Sequence, residues 1–355
     1  MRRLLQTLRI SPCATHRPHF IEPHLSRALG ALKNGEFASL DAWVATLPAE
    51  TYEHLVWRLA LPRYPRGWLQ AWSDAIPASC HPQLIAAYGD VNDAWAVRGE
   101  TFVNAIPFLR RRRYPKIMAK AHEKFVRIVE QNPADPMALA GLIHCDVVAG
   151  VGEGRRIEWL NQVLATSGFH GPTIRQYARG TLSRWGGEHG EHVRFAGWVV
   201  QNAPAGSCAL VVAAQAVLDD AFTASEDIYD AGMIRRHLAE DAGADWIRNA
   251  IMKWADATPG TLDVRVREIA DGQIDSYHAI CLESFALAAY FLGADDEARL
   301  LLQVLGGSLQ SDVWDDFIAP LPVWLYVISS NRRGARRVHD RVCRDLGLDP
   351  REICR

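Results

Sequence analysis

The chain has no apolar run of the ~20 residues needed to cross a bilayer. Its most apolar stretches, Ala209–Leu218, Ser284–Leu292 and Ile318–Ile328, are too short or are broken by Pro320 and Pro322. The Met-Arg-Arg start soon meets Gln6, Thr7 and Arg9, so no signal-peptide core is expected. The expectation is a soluble, cytoplasmic protein without a membrane partner. Clustered cysteines are also missing. Cys13, Cys80, Cys145, Cys208, Cys281, Cys343 and Cys354 are odd in number, widely spaced and form no C-x-x-C pair. That pattern excludes a disulfide framework or a zinc ribbon. No charge excess is present either. The 39 basic and 41 acidic side chains leave a net charge of -2, whereas a general nucleic-acid binder is usually basic. Glycine and proline are near average, which excludes collagen-like and proline-rich chains.

What is present is an ordinary globular composition, 49% apolar and 23% charged over 355 residues. That length suits two domains or one long repeat array. Helical periodicity dominates, and breakers recur at helix-length intervals. The spacing predicts helices at Pro23–Asn34, Phe37–Leu47, Ala49–Leu59 and Gly67–Ile76, then one from Pro82 toward Arg98. A basic loop follows, and then a strongly amphipathic helix over Lys116–Gln131. Pro136 opens another that ends near Gly150. Further helices are expected at Arg155–Ser167, Pro172–Arg184, Glu188–Asn202 and Ser207–Asp220. The last third repeats the rhythm at Ile228–Glu240, Asp245–Ala257, Asp275–Leu292, Asp295–Leu305, Val323–Asn331 and Gly334–Leu346.

So many helices with short links point to an all-α fold, an α–α superhelix of tetratricopeptide-like hairpins with irregular repeats. Ala121, Phe125, Ile128 and Pro133 have the order of such a repeat's second helix: a small residue, an aromatic wedge, an aliphatic residue and a closing proline. Phe285, Ala286, Ala289, Gly293, Ala298, Leu302 and Leu305 trace a second unit without the proline. Gly35, Leu40, Val44 and Leu47 form a weaker third. An irregular helical domain is the alternative. The expected organisation is an extended arm over 1–22, a tetratricopeptide-like domain over 23–220 and a helical continuation over 221–355.

Two segments carry a resemblance to a known family. One runs from Leu69-Gln-Ala-Trp72 to Asp93-Ala-Trp95-Ala-Val-Arg98-Gly99. The other is Leu182-Ser-Arg-Trp185-Gly186-Gly187, followed by Phe195-Ala196 and Ala203-Pro204-Ala-Gly206. Together with the repeat-like segment between them, they resemble the bacterial domain of unknown function numbered 4034, over about residues 25–220. That family carries an Ala-Trp…Arg-Gly segment and a Pro-Arg-Trp-Gly-Gly-Ser segment. The chain departs from it at Ser183 and Glu188. The resemblance implies a tetratricopeptide-like fold and a bacterial origin, and no activity. Read without the family, Trp185 covers a helix end, Gly186 and Gly187 permit positive φ and close approach, and Glu188 falls in the first turn of the next helix. A helix–helix corner is the expectation, and a ligand loop is the alternative.

Candidate chemistry is thin. His189 and His192 share a helix face, but the string is neither H-E-x-x-H nor H-x-x-E-H. Cys13, His16, His19 and His24 lie in a proline-spaced tract. Neither set defines a metal site, and no metal or cofactor is expected. His144 and His278 sit among apolar residues and read as packed core groups. Cys145 follows His144 directly, so the two diverge on a helix and form no dyad. Asp219-Asp220, Asp295-Asp296 and Asp315-Asp316 read as caps and first-turn charges. The twelve tryptophans read mainly as inter-helix wedges, with Trp68 and Trp72 as one candidate surface face.

Positive charge is concentrated in two places. Arg110, Arg111, Arg112 and Arg113, followed by Tyr114 and Lys116, read as a solvated loop, partly paired with acids, that forms a local anion site. Arg333, Arg337 and Arg341 form a stripe on the last long helix. These clusters favour an acidic partner surface. The expected function is a non-enzymatic helical-repeat scaffold for protein–protein interaction. One alternative is a small-ligand receptor or enzyme whose pocket collects several of His144, Trp185, His189, His192, Tyr277 and His278. The other is nucleic-acid contact through the arginines. Self-association is compatible with either.

Overall fold

A computed structural model describes residues 22–99, 106–150, 152, 154–227, 235–236, 238, 244–271, 276–306 and 331–353. The expected arm over 1–22, with Cys13, His16 and His19, lies outside the described residues but for its last position. So do Asp315–Asp316, the expected helix at Val323–Asn331 but for Asn331, and all of that at Ile228–Glu240 but for residues 235, 236 and 238. Every described element is a helix, so the protein is all-α. It forms two compact units. The first takes Ile21–Val212 and Asp275–Tyr277, and the second takes Ala213–Ile274 and His278–Arg355.

In the first unit the helices are α1 (Glu22–Asn34), α2 (Phe37–Val44), α3 (Ala49–Leu59), α4 (Gly67–Ala75), α5 (His81–Arg98), α6 (Phe108–Gln131), α7 (Pro136–Ala149), α8 (Arg156–Ser167), α9 (Gly171–Gly180) and α10 (Glu191–Asn202). Single 3₁₀ turns lie at Ser183–Trp185 and Cys208–Leu210. The centre is α7. Asp135 caps it by accepting from the Ala138 N–H at 2.8 Å, and Pro136 occupies its first turn. Every residue from Met137 to Val148 is buried. A helix that is apolar all round belongs inside a layered fold; α6, α8 and α9 pack on α7, and α5 packs on α6.

The repeat-like residues do the packing work. Ala121, Phe125 and Ile128 are fully buried on α6. A Cβ at Gly141 would lie 2.4 Å from the Phe125 ring, so that ring occupies the space a side chain on α7 would need there. Pro133 follows the end of α6 in the link to α7. Contacts thus run mainly from each helix to its chain neighbours. Other contacts skip along the chain: α9 packs on α7, α3 packs on α5, and α9 reaches α3, where Arg175 and the buried Glu53 form an ion pair across 122 positions.

In the second unit, α11 (Val211–Asp227) is followed by α12 (Ala244–Trp254), α13 (Leu262–Asp271), α14 (Ser276–Phe291), α15 (Asp295–Leu305), α16 (Asn331–Asp345) and α17 (Pro350–Ile353). The division between units falls within α11. Trp254 and Phe285 meet in this core with ring centroids 5.3 Å apart. The second repeat-like trace lies wholly in it: Phe285, Ala286, Ala289, Ala298, Leu302 and Leu305 are buried around the turn at Gly293. Asp295, Asp296 and Glu297 fill the first turn of α15, where negative charge suits the helix dipole. Asp219 and Asp220 correct an expectation: they lie in the middle of α11 and cap nothing.

Several boundaries differ from the sequence reading, among them the end of α11 at Asp227 rather than Asp220. Helix α2 stops at Val44 rather than Leu47, and α9 stops at Gly180. Helix α10 begins at Glu191, three residues after Glu188. Instead of lying in its first turn, Glu188 donates its N–H to the Glu191 carboxylate at 2.8 Å, as in a capping box. The largest difference is at α6, which starts at Phe108, so the arginine run is helical. Proline normally stops a helix because it removes one backbone donor and crowds the carbonyl four residues back. Here that carbonyl belongs to the exposed Arg111, where water can satisfy it, and the helix runs on through Pro115.

Candidate functional site

The first two turns of α6 are the most unusual surface of the first unit. Residues 107–113 are all exposed, while Ile106 before them and Tyr114 after them are buried. Phe108 is 67% exposed and Leu109 is 78%, the two highest values among large apolar side chains in the described residues. The Arg112 guanidinium lies 5.5 Å from the Phe108 ring centre. None of Arg110, Arg111, Arg112 and Arg113 forms an ion pair among the described residues. The expected pairing with nearby acids is therefore absent there. The first turn holds no acidic residue. Positive charge at a helix N-terminus opposes the macrodipole, so this placement weakens the helix locally.

Farther along, Lys116, Lys120 and Arg127 are exposed in a single row without a described ion-pair partner, whereas Lys124 is tied to Asp90 at 2.7 Å. Tyr114 does not belong to this surface. It is 7% exposed and its ring faces Arg98, which corrects its expected place among the partner-contacting residues. In the second unit, α16 carries Arg333, Arg337 and Arg341. Arg341 is exposed, and the side chains of the other two lie outside the described residues.

The two segments that carried the family resemblance meet in space. Arg98, at the end of α5, lies over Trp95 at 5.0 Å and Trp185 at 5.1 Å, with Tyr114 at 6.0 Å. The two indoles pack edge to face at 6.0 Å. Such stacking suits the planar, weakly hydrated guanidinium. The Trp–Gly–Gly turn makes it possible. Gly186 has φ 93°, and a Cβ at Gly187 would fall 2.1 Å from the Thr181 carbonyl oxygen. Only glycine fits at position 187, and the chain turns tightly enough there to hold Trp185 against Arg98.

Beneath this cage, the Trp95 indole donates to His144 Nε2 at 2.9 Å, and His144 Nδ1 bonds Gln176 Oε1 at 2.8 Å. Burial and the nearby Arg179 charge push the imidazole down to about 3. His170 is likewise pushed to about 3, by burial and then Arg175, while its Nδ1 caps α9 through the Thr173 N–H. Both are neutral structural groups. Cys145 is buried, which raises its thiol further above its usual range.

A second polar cluster was not legible in the sequence. Tyr52 is hydrogen-bonded to His81 Nδ1 at 2.7 Å, Cys80 lies 3.6 Å from Asp135 Oδ2, and Trp72 donates to Asp41 at 3.0 Å. Asp41 also accepts from Ser79. A thiol, an imidazole and a carboxylate here resemble a nucleophilic triad only in composition. Burial and Asp135 hold the Cys80 thiol up at about 12, and burial lowers His81. Thiolate chemistry needs the reverse shift at cysteine. Trp72 is fully buried and Trp68 half-buried, so the pair is no open aromatic face.

The other histidines do not converge. His189 is exposed, His192 is half-buried and His24 stacks on Trp43 at 5.9 Å. The side chains of Tyr277 and His278 lie outside the described residues. Among the described residues, no three of His, Cys, Asp and Glu form a metal-binding group, and no helix is long and apolar enough to cross a membrane. A depression beside Arg66 and Trp68 encloses about 10 Å³, which is room for one water. Comparison of the chain with family models, curated proteins and solved structures gives no match.

Proposed function

We propose that the protein is a non-enzymatic helical scaffold that docks an acidic protein surface along α6. The observation that carries this reading is the row of Lys116, Lys120 and Arg127, extended by Arg112 and Arg113. It is exposed, lies on one helix face and has no described carboxylate partner. Unpaired cations on a rigid element steer an acidic partner and set its register. The chain-order packing of α5 to α9 supports a superhelical repeat arrangement of this scaffold. The proposal includes likeness to the 4034 family, on the Trp95, Arg98 and Trp185–Gly187 segments, and a cytoplasmic place, on the wide scatter of the cysteines along the sequence.

The test is capture from native lysate with cross-linking and mass spectrometry, beside a Lys116→Glu, Lys120→Glu, Arg127→Glu variant. An acidic protein that is held by the wild type, released by salt and lost in the folded variant supports the reading. The same set of proteins on both chains overturns it.

A further inference from the structure

The basic row leaves part of α6 unexplained. Successive helical residues turn by about 100°, so Arg112 and Arg113 continue the row, while Arg110 and Arg111 fall on the opposite side. That is the side on which Tyr114, Met118, Ala121, Phe125 and Ile128 are buried. One turn earlier, Arg110 and Arg111 are exposed, although Ile106 ahead of them is buried in the core again. The four guanidiniums therefore spread round the helix, and Phe108 and Leu109 stand exposed in its first turn.

We infer that this segment docks on an anionic phospholipid surface, with Phe108 and Leu109 entering the headgroup layer and Arg110–Arg113 contacting phosphates. This goes beyond the protein-docking reading: it shares Arg112 and Arg113 with that row and adds Phe108, Leu109, Arg110 and Arg111. Three observations argue for lipid rather than an acidic protein face. The two most exposed large apolar side chains are adjacent to each other and to the arginines. A bilayer presents anions and apolar depth in that same order. The guanidiniums spread round the helix; a protein face would meet one side of it, whereas a sheet of phosphates penetrated by the first turn meets every side. The amide end of a 24-residue helix adds positive charge at the same place. Ile106 and Tyr114, buried on either side, hold the segment in place before contact. No spanning helix is involved; the protein lies on the surface.

The test is sedimentation of the full chain with vesicles of phosphatidylcholine alone or with one-third phosphatidylglycerol. The variants are Arg110→Gln with Arg111→Gln, Phe108→Ser with Leu109→Ser, and Val264→Ser as an exposed apolar control. All these positions are exposed, and folding is checked by circular dichroism. The expected result is binding to the anionic vesicles only, weakened about tenfold or more by each of the first two variants and unchanged by the control. A Phe108→Trp chain should show a blue-shifted emission on the same vesicles. No binding to anionic vesicles overturns the inference. So does binding that survives the Phe108/Leu109 change, because insertion is then not what holds the protein. If vesicles fail while Arg110→Gln/Arg111→Gln loses the protein captured from lysate, the segment belongs to the protein interface and the lipid inference falls alone. If vesicles bind and lysate capture is unaffected by the row variant, the scaffold reading falls and this one stands.

Discussion

The indole of Trp95 and the imidazole of His144 are joined by a 2.9 Å hydrogen bond in which the indole N–H can only donate. His144 Nε2 must therefore be unprotonated, and its one proton sits on Nδ1, facing Gln176. A second proton would break the link from α5 to α7 and place a charge beside Arg179. His144, read from the sequence as a packed core group, is thereby fixed as a neutral strut linking α5 to α7.

That arrangement makes the fold sensitive to acid. His144 and His170 are held at about 3, against about 6.5 in an unfolded chain. Above the unfolded value their contribution to stability is fully present. It is lost as pH falls, because the unfolded chain then binds protons that the folded one refuses. Each histidine adds a slope of about 1.4 kcal/mol per pH unit in that window. Urea midpoints measured from neutral pH to about pH 4 should fall steadily, and His144→Gln should flatten the fall. A flat wild-type profile would refute this assignment.

Gly187→Ala is expected to destabilise the first unit by about 1–3 kcal/mol, since the new methyl meets backbone rather than a movable side chain. Gly186→Ala meets no neighbouring atom and carries only the strain of its positive φ. Thermal melts should rank Gly187→Ala below Gly186→Ala, with tryptophan emission disturbed more in the former.

Two substitutions on α6 should separate its buried and exposed parts. Phe125→Ala removes a fully buried ring seated on Gly141 and should cost about 3–5 kcal/mol. Arg111→Gln removes an exposed cation from the positive end of the helix and should raise stability by a few tenths of a kcal/mol. Denaturant midpoints check both; a loss at Arg111 comparable to that at Phe125 would mean that the exposed turns are part of the core.

Cys80 should resist alkylation near neutral pH, because little thiolate forms when its value stands at about 12. Asp135→Asn removes the neighbouring charge and should speed the reaction, while an amide in place of the carboxylate can still cap α7. The rate of iodoacetamide modification, followed by mass spectrometry, distinguishes the two chains. A wild-type rate equal to that of a free thiol would show the electrostatic reading to be mistaken.

The all-helical class was readable from the spacing around Ala121, Phe125 and Ile128, because one periodic face reports its own burial. The start of α6 was not. Pro115 is a local stop signal, and only the exposure of Arg111 shows why the helix tolerates it. The Trp95–Arg98 and Trp185–Gly187 segments stood out singly, yet their meeting depends on the packing of helices far apart in the chain. Tyr114 was grouped with the arginines because it follows them, whereas it is the first α6 residue on that face to be buried against the core. The Tyr52, His81, Cys80 and Asp135 cluster left no local pattern, since its members come from three separate helix starts and their approaches.

The ion pair between Glu53 on α3 and Arg175 on α9 has a kinetic consequence. An open row of helices can nucleate anywhere and grow or fray from its ends, one hairpin at a time. Here the third and ninth helices are tied together, so distant chain segments must come into register before that pair forms, which slows folding and couples the intervening helices. Glu53→Gln would remove the carboxylate that ties α3 to Arg175 and weaken this long-range link, so unfolding should become less cooperative.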